Sequence, residues 1–202
     1  MRFDGCFKRP AAWPHLTPQG LQIRIMTEQK LDWPADVHKV LRAEGITEVA
    51  MVPDAGHSRL IELCEADNDI ALTTMTTEEE GIHMLSGVFL GGGKGVMLLQ
   101  SSGVGNIMNS LAMPNTCRIP ILMIVTMRGE SGEFNSWQVP MGQGTPGCLE
   151  AMGVRVLRVD QAEEIAPAVK AVSRLAFDGQ QMVAVLISQK VLGFKDFREL
   201  AR

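Results

Sequence analysis

Six short runs of aliphatic residues, at positions 48–52, 70–73, 95–99, 120–126, 154–159 and 182–188, constrain this chain more than any other feature of its sequence. Most are apolar throughout rather than alternating. A strand with one wet face alternates; a strand covered on both faces does not, so these runs read as strands of a parallel sheet. Segments of helical pattern separate them. Val37, Val40 and Leu41 share a face in 36–44, and Leu60, Ile61 and Leu63 do so in 58–66. Ile82, Leu85 and Phe89 form a stripe in 77–90. Ile107, Leu111 and Met113 form another in 106–113, which Pro114 is expected to stop, and Ile165, Val169, Val172 and Leu175 line 162–177. Strands alternating with helices imply βαβ crossovers. The expected fold is an α/β three-layer sandwich around a six-stranded, mainly parallel sheet.

A chain of 202 residues with a net charge of −4 fills one ordinary domain and offers no basic surface for nucleic acid. Residues 1–25 hold three prolines and no continuous apolar stretch, which excludes a signal peptide and reads as an extension before a domain at 26–202. No run reaches the length of a membrane span. Cys6, Cys64, Cys117 and Cys148 form no close pair, which argues against zinc and for reduced thiols in the cytoplasm. The glycine- and proline-bearing stretch 128–145 is expected to be a long functional or partner-facing loop.

Four segments could carry chemistry. Gly91 to Gly95 mimics a phosphate loop, but it leads from a helix into a strand and reads instead as a helix end. Ser101-Ser102-Gly103-Val104-Gly105-Asn106 follows a strand and precedes a helix, where ligands meet α/β sheets; a plain glycine-rich turn reads equally well. Asp54 and His57, in Val52-Pro53-Asp54-Ala55-Gly56-His57, stand at another strand's carboxyl end, where a simple turn also suffices. Glu78, Glu79 and Glu80 open a helix. Thr76 with Glu79, or Thr77 with Glu80, satisfies a capping box, so the local pattern alone asks for no more than a cap. Because helical residues step by about 100°, only one of the three can face a given site. Glu78 falls nearest the apolar stripe and Glu79 at its edge.

The ordered set carries more than its parts: V-P-D, then E-E-E-G, L-L-Q-S-S-G-V-G-N, I-P-I-L-M-I-V-T-M-R-G-E and Q-V-P-M-G-Q-G-T-P. Over about residues 32–190 it resembles the pyrimidine-binding domain of thiamine-diphosphate-dependent 2-oxoacid decarboxylases. Within them it is similar to the sulfopyruvate decarboxylase alpha chains and, next, to phosphonopyruvate decarboxylases.

The resemblance implies a lyase that releases carbon dioxide from a short 2-oxoacid, 3-sulfopyruvate first and phosphonopyruvate second. A helix-borne glutamate activates the cofactor by hydrogen-bonding its aminopyrimidine. Placing Gly81 and Phe89 on the family's small and aromatic positions selects Glu79, whereas alignment on Gly87 selects Glu78. Pro53, Asp54, Ser102, Gly103 and Asn106 join Glu79 as expected cofactor contacts. His57, Arg128 and Gln138 are expected substrate contacts, since a sulfonated or phosphonated oxoacid needs cationic or N–H donors. The family's Gly-Asp-Gly diphosphate motif is missing from the chain. Diphosphate and Mg²⁺ are therefore expected on a separate beta subunit, in a hetero-oligomer that also self-associates, with 77–90 and 103–115 as candidate inter-chain faces. A non-catalytic regulatory or assembly protein that kept the domain is the reading from another class.

Overall fold

A computed structural model describes residues 31–193. The expected extension, and its boundary with the domain, lie outside these residues.

The chain runs α1 (Trp33–Ala43), β1 (Glu48–Met51), α2 (Ser58–Glu65), β2 (Ala71–Thr74), α3 (Glu78–Leu90) and β3 (Gly95–Gln100). It continues through α4 (Ser101–Ile107), α5 (Ala112–Cys117) and β4 (Ile121–Thr126). A 3₁₀ turn at Ser136–Gln138 leads into α6 (Val139–Ala151), followed by β5 (Arg155–Val159), α7 (Ala162–Phe177), β6 (Met182–Ile187) and α8 (Gln189–Leu192). All six strands pair in parallel, in the order β2-β1-β3-β4-β6-β5.

The apolar runs behave as their composition demands. The central strands β4 and β6 are buried along their whole length, while the edge strands β2 and β5 keep exposed positions. Alternate side chains feed two cores. Leu122 and Ile124 of β4 join Val37, Leu41, Leu60, Ile165 and Val169 on one face. Ile121, Met123 and Val125 join Ile82, Leu85, Val104, Ile107 and Leu149 on the other. Helices α1, α2 and α7 thus cover one side of the sheet, and α3, α4 and α6 the other.

Two helical expectations need correction. The helix expected over 106–113 is instead α4, which starts directly after β3, and α5, in whose first turn Pro114 sits without harm. The long loop expected over 128–145 is shorter, because α6 starts at Val139. Pro140 lies in that helix's first turn, where its missing N–H costs nothing. Gly142 is required by packing: an added Cβ would overlap the Arg128 carbonyl oxygen. Pro146 is carried inside the helix. Gly91 caps α3 and Gly92 takes φ +85°, as a helix end requires.

The order also fixes where a ligand can approach. After β1 the chain passes to the face covered by α2, and after β3 to the opposite face under α4. Adjacent parallel strands whose connections diverge leave a crevice beyond their carboxyl ends. The segments that follow β1 and β3 border it.

Candidate functional site

Three carboxylates enter α3 in different environments. Glu80 turns back, and its Oε2 accepts the N–H of Thr76 at 2.9 Å, so Glu80 serves the helix start. Glu79 is half-buried. Glu78 is 8% exposed. Its Oε2 accepts the side-chain N–H of Asn106 at 2.7 Å. Its carboxylate lies against Gly103, where an added Cβ would overlap it, so only glycine lets α4 approach so closely. Gly103 and Asn106, expected to contact a cofactor, are therefore brought together with a glutamate, and that glutamate is Glu78.

A second cluster bridges β1, β3 and β4. Asp54 follows β1 in a bend whose Pro53 is exposed. Its Oδ1 accepts from Gln100 Nε2 at 2.8 Å, and its Oδ2 accepts from the Thr126 hydroxyl. Ser102 Oγ donates to Gln100 Oε1 at 2.9 Å, which ties the turn after β3 to the same network. Burial pushes the Asp54 carboxyl up, but the Thr126 hydroxyl, the Gln100 amide and the Gly56 N–H hold it below its ordinary value. Gln100 and Thr126 were not among the expected residues. Each is the polar residue that closes an otherwise apolar run, and that is the signal that marks them.

His57 lies against Asp54 rather than in the open crevice. It is 1% exposed, with Nδ1 3.6 Å from Asp54 Oδ2, too long for a hydrogen bond. Neither ring nitrogen has a hydrogen-bond partner. Burial depresses the imidazole to about 4 against the pull of Asp54, so it is neutral at pH 7.

Beyond this network a cleft of about 100 Å³ opens between the ends of β1, β4 and β6, lined in part by Asp54, Thr126, Arg128, Phe134 and Gln189. Arg128 thus lies where an anionic substrate could meet it. Gln138 does not line the cleft. It stands at the start of α6 with its side-chain oxygen enclosed and without a hydrogen bond.

Arg128 is itself held in place. Its Nε and Nη2 donate to the two oxygens of Glu133 at 2.7 and 2.9 Å. Glu133, a residue the sequence did not single out, also accepts from the N–H groups of Gly129 and Asn135 and from Gln189 Nε2. The Arg128 guanidinium, chiefly, brings its carboxyl down to about 2; burial opposes this and the two backbone N–H groups assist. Among the described residues no group of three His, Cys, Asp or Glu side chains is placed to hold a metal. Cys64, Cys117 and Cys148 are free thiols. No described helix is long and apolar enough to cross a membrane.

Residues 35–138 match the family described as thiamine pyrophosphate enzyme, N-terminal TPP binding domain. The chain is 34% identical to the sulfopyruvate decarboxylase subunit alpha of Methanococcus maripaludis over 75% of its own length and 91% of that protein's. It is 32% identical to a sulfopyruvate decarboxylase of Methanosarcina acetivorans over 77% of its length, but only 40% of that protein's. With a phosphonopyruvate decarboxylase of Streptomyces viridochromogenes it shares 38% identity over 49% of its length and 25% of that protein's. Among solved structures, 2-oxoglutarate:ferredoxin oxidoreductase from Magnetococcus marinus superposes with a TM-score of 0.67 at 17% identity, covering 81% of this chain and 30% of that one. That likeness concerns the fold alone.

Proposed function

The chain belongs to the thiamine pyrophosphate enzymes, in the branch of the sulfopyruvate decarboxylase alpha subunits, and on that premise we propose that it is the pyrimidine-binding chain of a two-chain decarboxylase of 3-sulfopyruvate. The observation that carries this is the Glu78 carboxylate, buried against Gly103 and Asn106 beside the carboxyl ends of a parallel sheet. A buried carboxylate is costly unless it has a partner, and Asn106 occupies one of its oxygens and fixes its direction. The rest of its acceptor capacity suits a ring nitrogen that shares a proton with it.

Glu78, Gly103 and Asn106 would hold the aminopyrimidine, with Asp54, Ser102 and Pro53 around it. The bound cofactor supplies the electron sink for loss of carbon dioxide. Glu78 keeps a proton at the ring nitrogen, and Asn106 keeps Glu78 from turning away. Spacing to Gly81 and Phe89 gives this role to Glu79; burial and the Asn106 bond favour Glu78. Diphosphate and Mg²⁺ fall to a beta subunit. The alpha-subunit relatives, and the Methanosarcina relative of which this chain spans 40%, support a second portion supplied by another polypeptide. Free thiols suit the cytoplasm. Phosphonopyruvate is the second substrate, on the similarity to its decarboxylases.

The test is co-expression with a companion chain carrying Gly-Asp-Gly, followed by carbon dioxide release from a panel of 2-oxoacids with thiamine diphosphate and Mg²⁺. Activity should need both chains. Glu78→Gln should lose at least about 10²-fold in kcat, the usual value of a positioned proton-transfer group, and Glu79→Gln should stay near the parent. The reverse pattern returns the role to Glu79. If neither substitution matters, the activating role is withdrawn, and inactivity with every oxoacid favours a regulatory or assembly protein.

A further inference from the structure

The chemistry proposed above uses Glu78 and leaves one buried carboxylate unexplained. Glu133 has a side chain 1% exposed and accepts five N–H donors: two from Arg128, one from Gln189, and the backbone groups of Gly129 and Asn135. A loop that needed only bracing could use the backbone groups alone. Instead the carboxylate takes hold of two side chains that both line the cleft, one following β4 and the other following β6.

The pairing is specific about which donors it uses. A guanidinium carries five N–H groups in a planar fork, and Glu133 engages one on Nε and one on Nη2. Three remain on the far edge of the fork, Nη1 among them. An arginine gripped along one edge presents the other in a fixed direction, which is the geometry that planar recognition of a sulfonate, phosphonate or carboxylate requires. Among the described residues Arg128 is the only cation that lines the cleft, and Asp54 there repels anions. Of these lining groups, the Arg128 guanidinium is the one on which an acidic group entering the cleft can rest. The side chain of Gln189 is fixed as firmly, because its Oε1 accepts from the Glu130 N–H at 3.0 Å while its Nε2 donates to Glu133 at 3.0 Å.

We propose that Glu133 is a positioning residue that aims Arg128 into the cleft, and that this arrangement selects short 2-oxoacids carrying a second anionic group. The inference rests on the decarboxylase reading for the reaction, but the binding it describes is separable from turnover.

Two measurements on the two-chain enzyme test it. In steady-state kinetics, Glu133→Gln should raise KM for 3-sulfopyruvate about 10- to 100-fold, the usual effect of losing a supporting partner, with kcat changed far less. KM for pyruvate, which lacks the second charge, should barely move. Arg128→Lys keeps the charge and loses the fork, so it should give the same split; it serves if Glu133→Gln does not assemble. In calorimetric titration, sulfoacetate, a dianion without an oxo group, should bind the parent and bind both variants at least about tenfold more weakly.

Equal KM rises for the two oxoacids, or a fall confined to kcat, would reduce Glu133 to a loop brace and overturn the proposal. Sulfoacetate binding that ignores both substitutions overturns it as well. A parent enzyme that binds sulfoacetate through Arg128 but decarboxylates nothing sinks the reaction and keeps the anion site.

Discussion

Three glutamates in succession share one helix start, and their fates differ because each step along the helix turns the side chain by about 100°. Glu80 reaches back to the backbone, Glu78 enters the space beside Gly103, and Glu79 stays half-buried between them. His57, beside Asp54, shows burial without such help. The imidazole of His57 is enclosed with both nitrogens unbonded, and burial lowers its folded value to about 4 from 6.5. The unfolded chain therefore takes up a proton between these values that the folded chain refuses. Folding stability is full above about pH 6.5 and should fall as the pH drops toward 4, by on the order of 3 kcal/mol if the whole difference is realised. Urea unfolding of this chain at a series of pH values, compared with His57→Gln, checks this. The substitution should flatten the curve in that window and leave intact the later loss, between about 4.5 and about 2, in which the Glu133 carboxyl is protonated. A parent curve already flat between 6.5 and 4 would mean that the imidazole finds a partner. Little at this scale is legible in the sequence. The E-E-E run names a site to within one residue, but direction on the helix is settled by what fills the space opposite, and Gly103 and Asn106 lie about 25 residues away along the chain.

Elements were easier to read than residues, for a physical reason. A central parallel strand is covered on both sides, so its run of apolar residues has no competing explanation, and all six strands stand within a residue or so of where those runs lie. Helix α6 is not legible in the sequence, because its glycines and prolines read as loop punctuation. What overrides propensity there is close packing: Gly142 presses on the backbone of Arg128 and Gly129, while the Thr145 hydroxyl donates to the carbonyls of Met141 and Ser101 at 2.7 and 3.2 Å. Two of the three interior glycines of this helix, Gly142 and Gly147, should thus respond oppositely to alanine. Gly142→Ala forces a Cβ into the Arg128 carbonyl and should cost about 1–3 kcal/mol, as overpacking does. Gly147→Ala meets no atom within 4 Å and should stabilise by about 0.5–1 kcal/mol through helix propensity alone. Chemical denaturation of the two variants decides it; equal destabilisation would mean that α6 is not anchored through Gly142. The same anchoring links the element to the site, since the backbone that Gly142 touches carries Arg128.

At the scale of the whole molecule, the sheet order places every candidate group at one end of the strands, yet the groups assembled there suit only part of a cofactor. They comprise an acid with an amide partner, a hydroxyl network and one guanidinium. The diphosphate and its divalent cation are, on the proposal above, the beta subunit's to hold. If this division of labour holds, metal dependence and fold stability belong to different polypeptides. Chelation of divalent ions should abolish carbon dioxide release by the two-chain enzyme, and added Mg²⁺ should restore it. The melting temperature of this chain alone should not respond to either treatment, because only an ion that binds the folded chain in preference to the unfolded one raises its stability, as the logarithm of its concentration once that exceeds the dissociation constant. A melting temperature that rises with Mg²⁺ in the isolated chain would place a metal site on it and end the proposed division. Activity that survives exhaustive chelation would instead remove the metal from the mechanism, while leaving intact the acid braced by Asn106 and the guanidinium braced by Glu133.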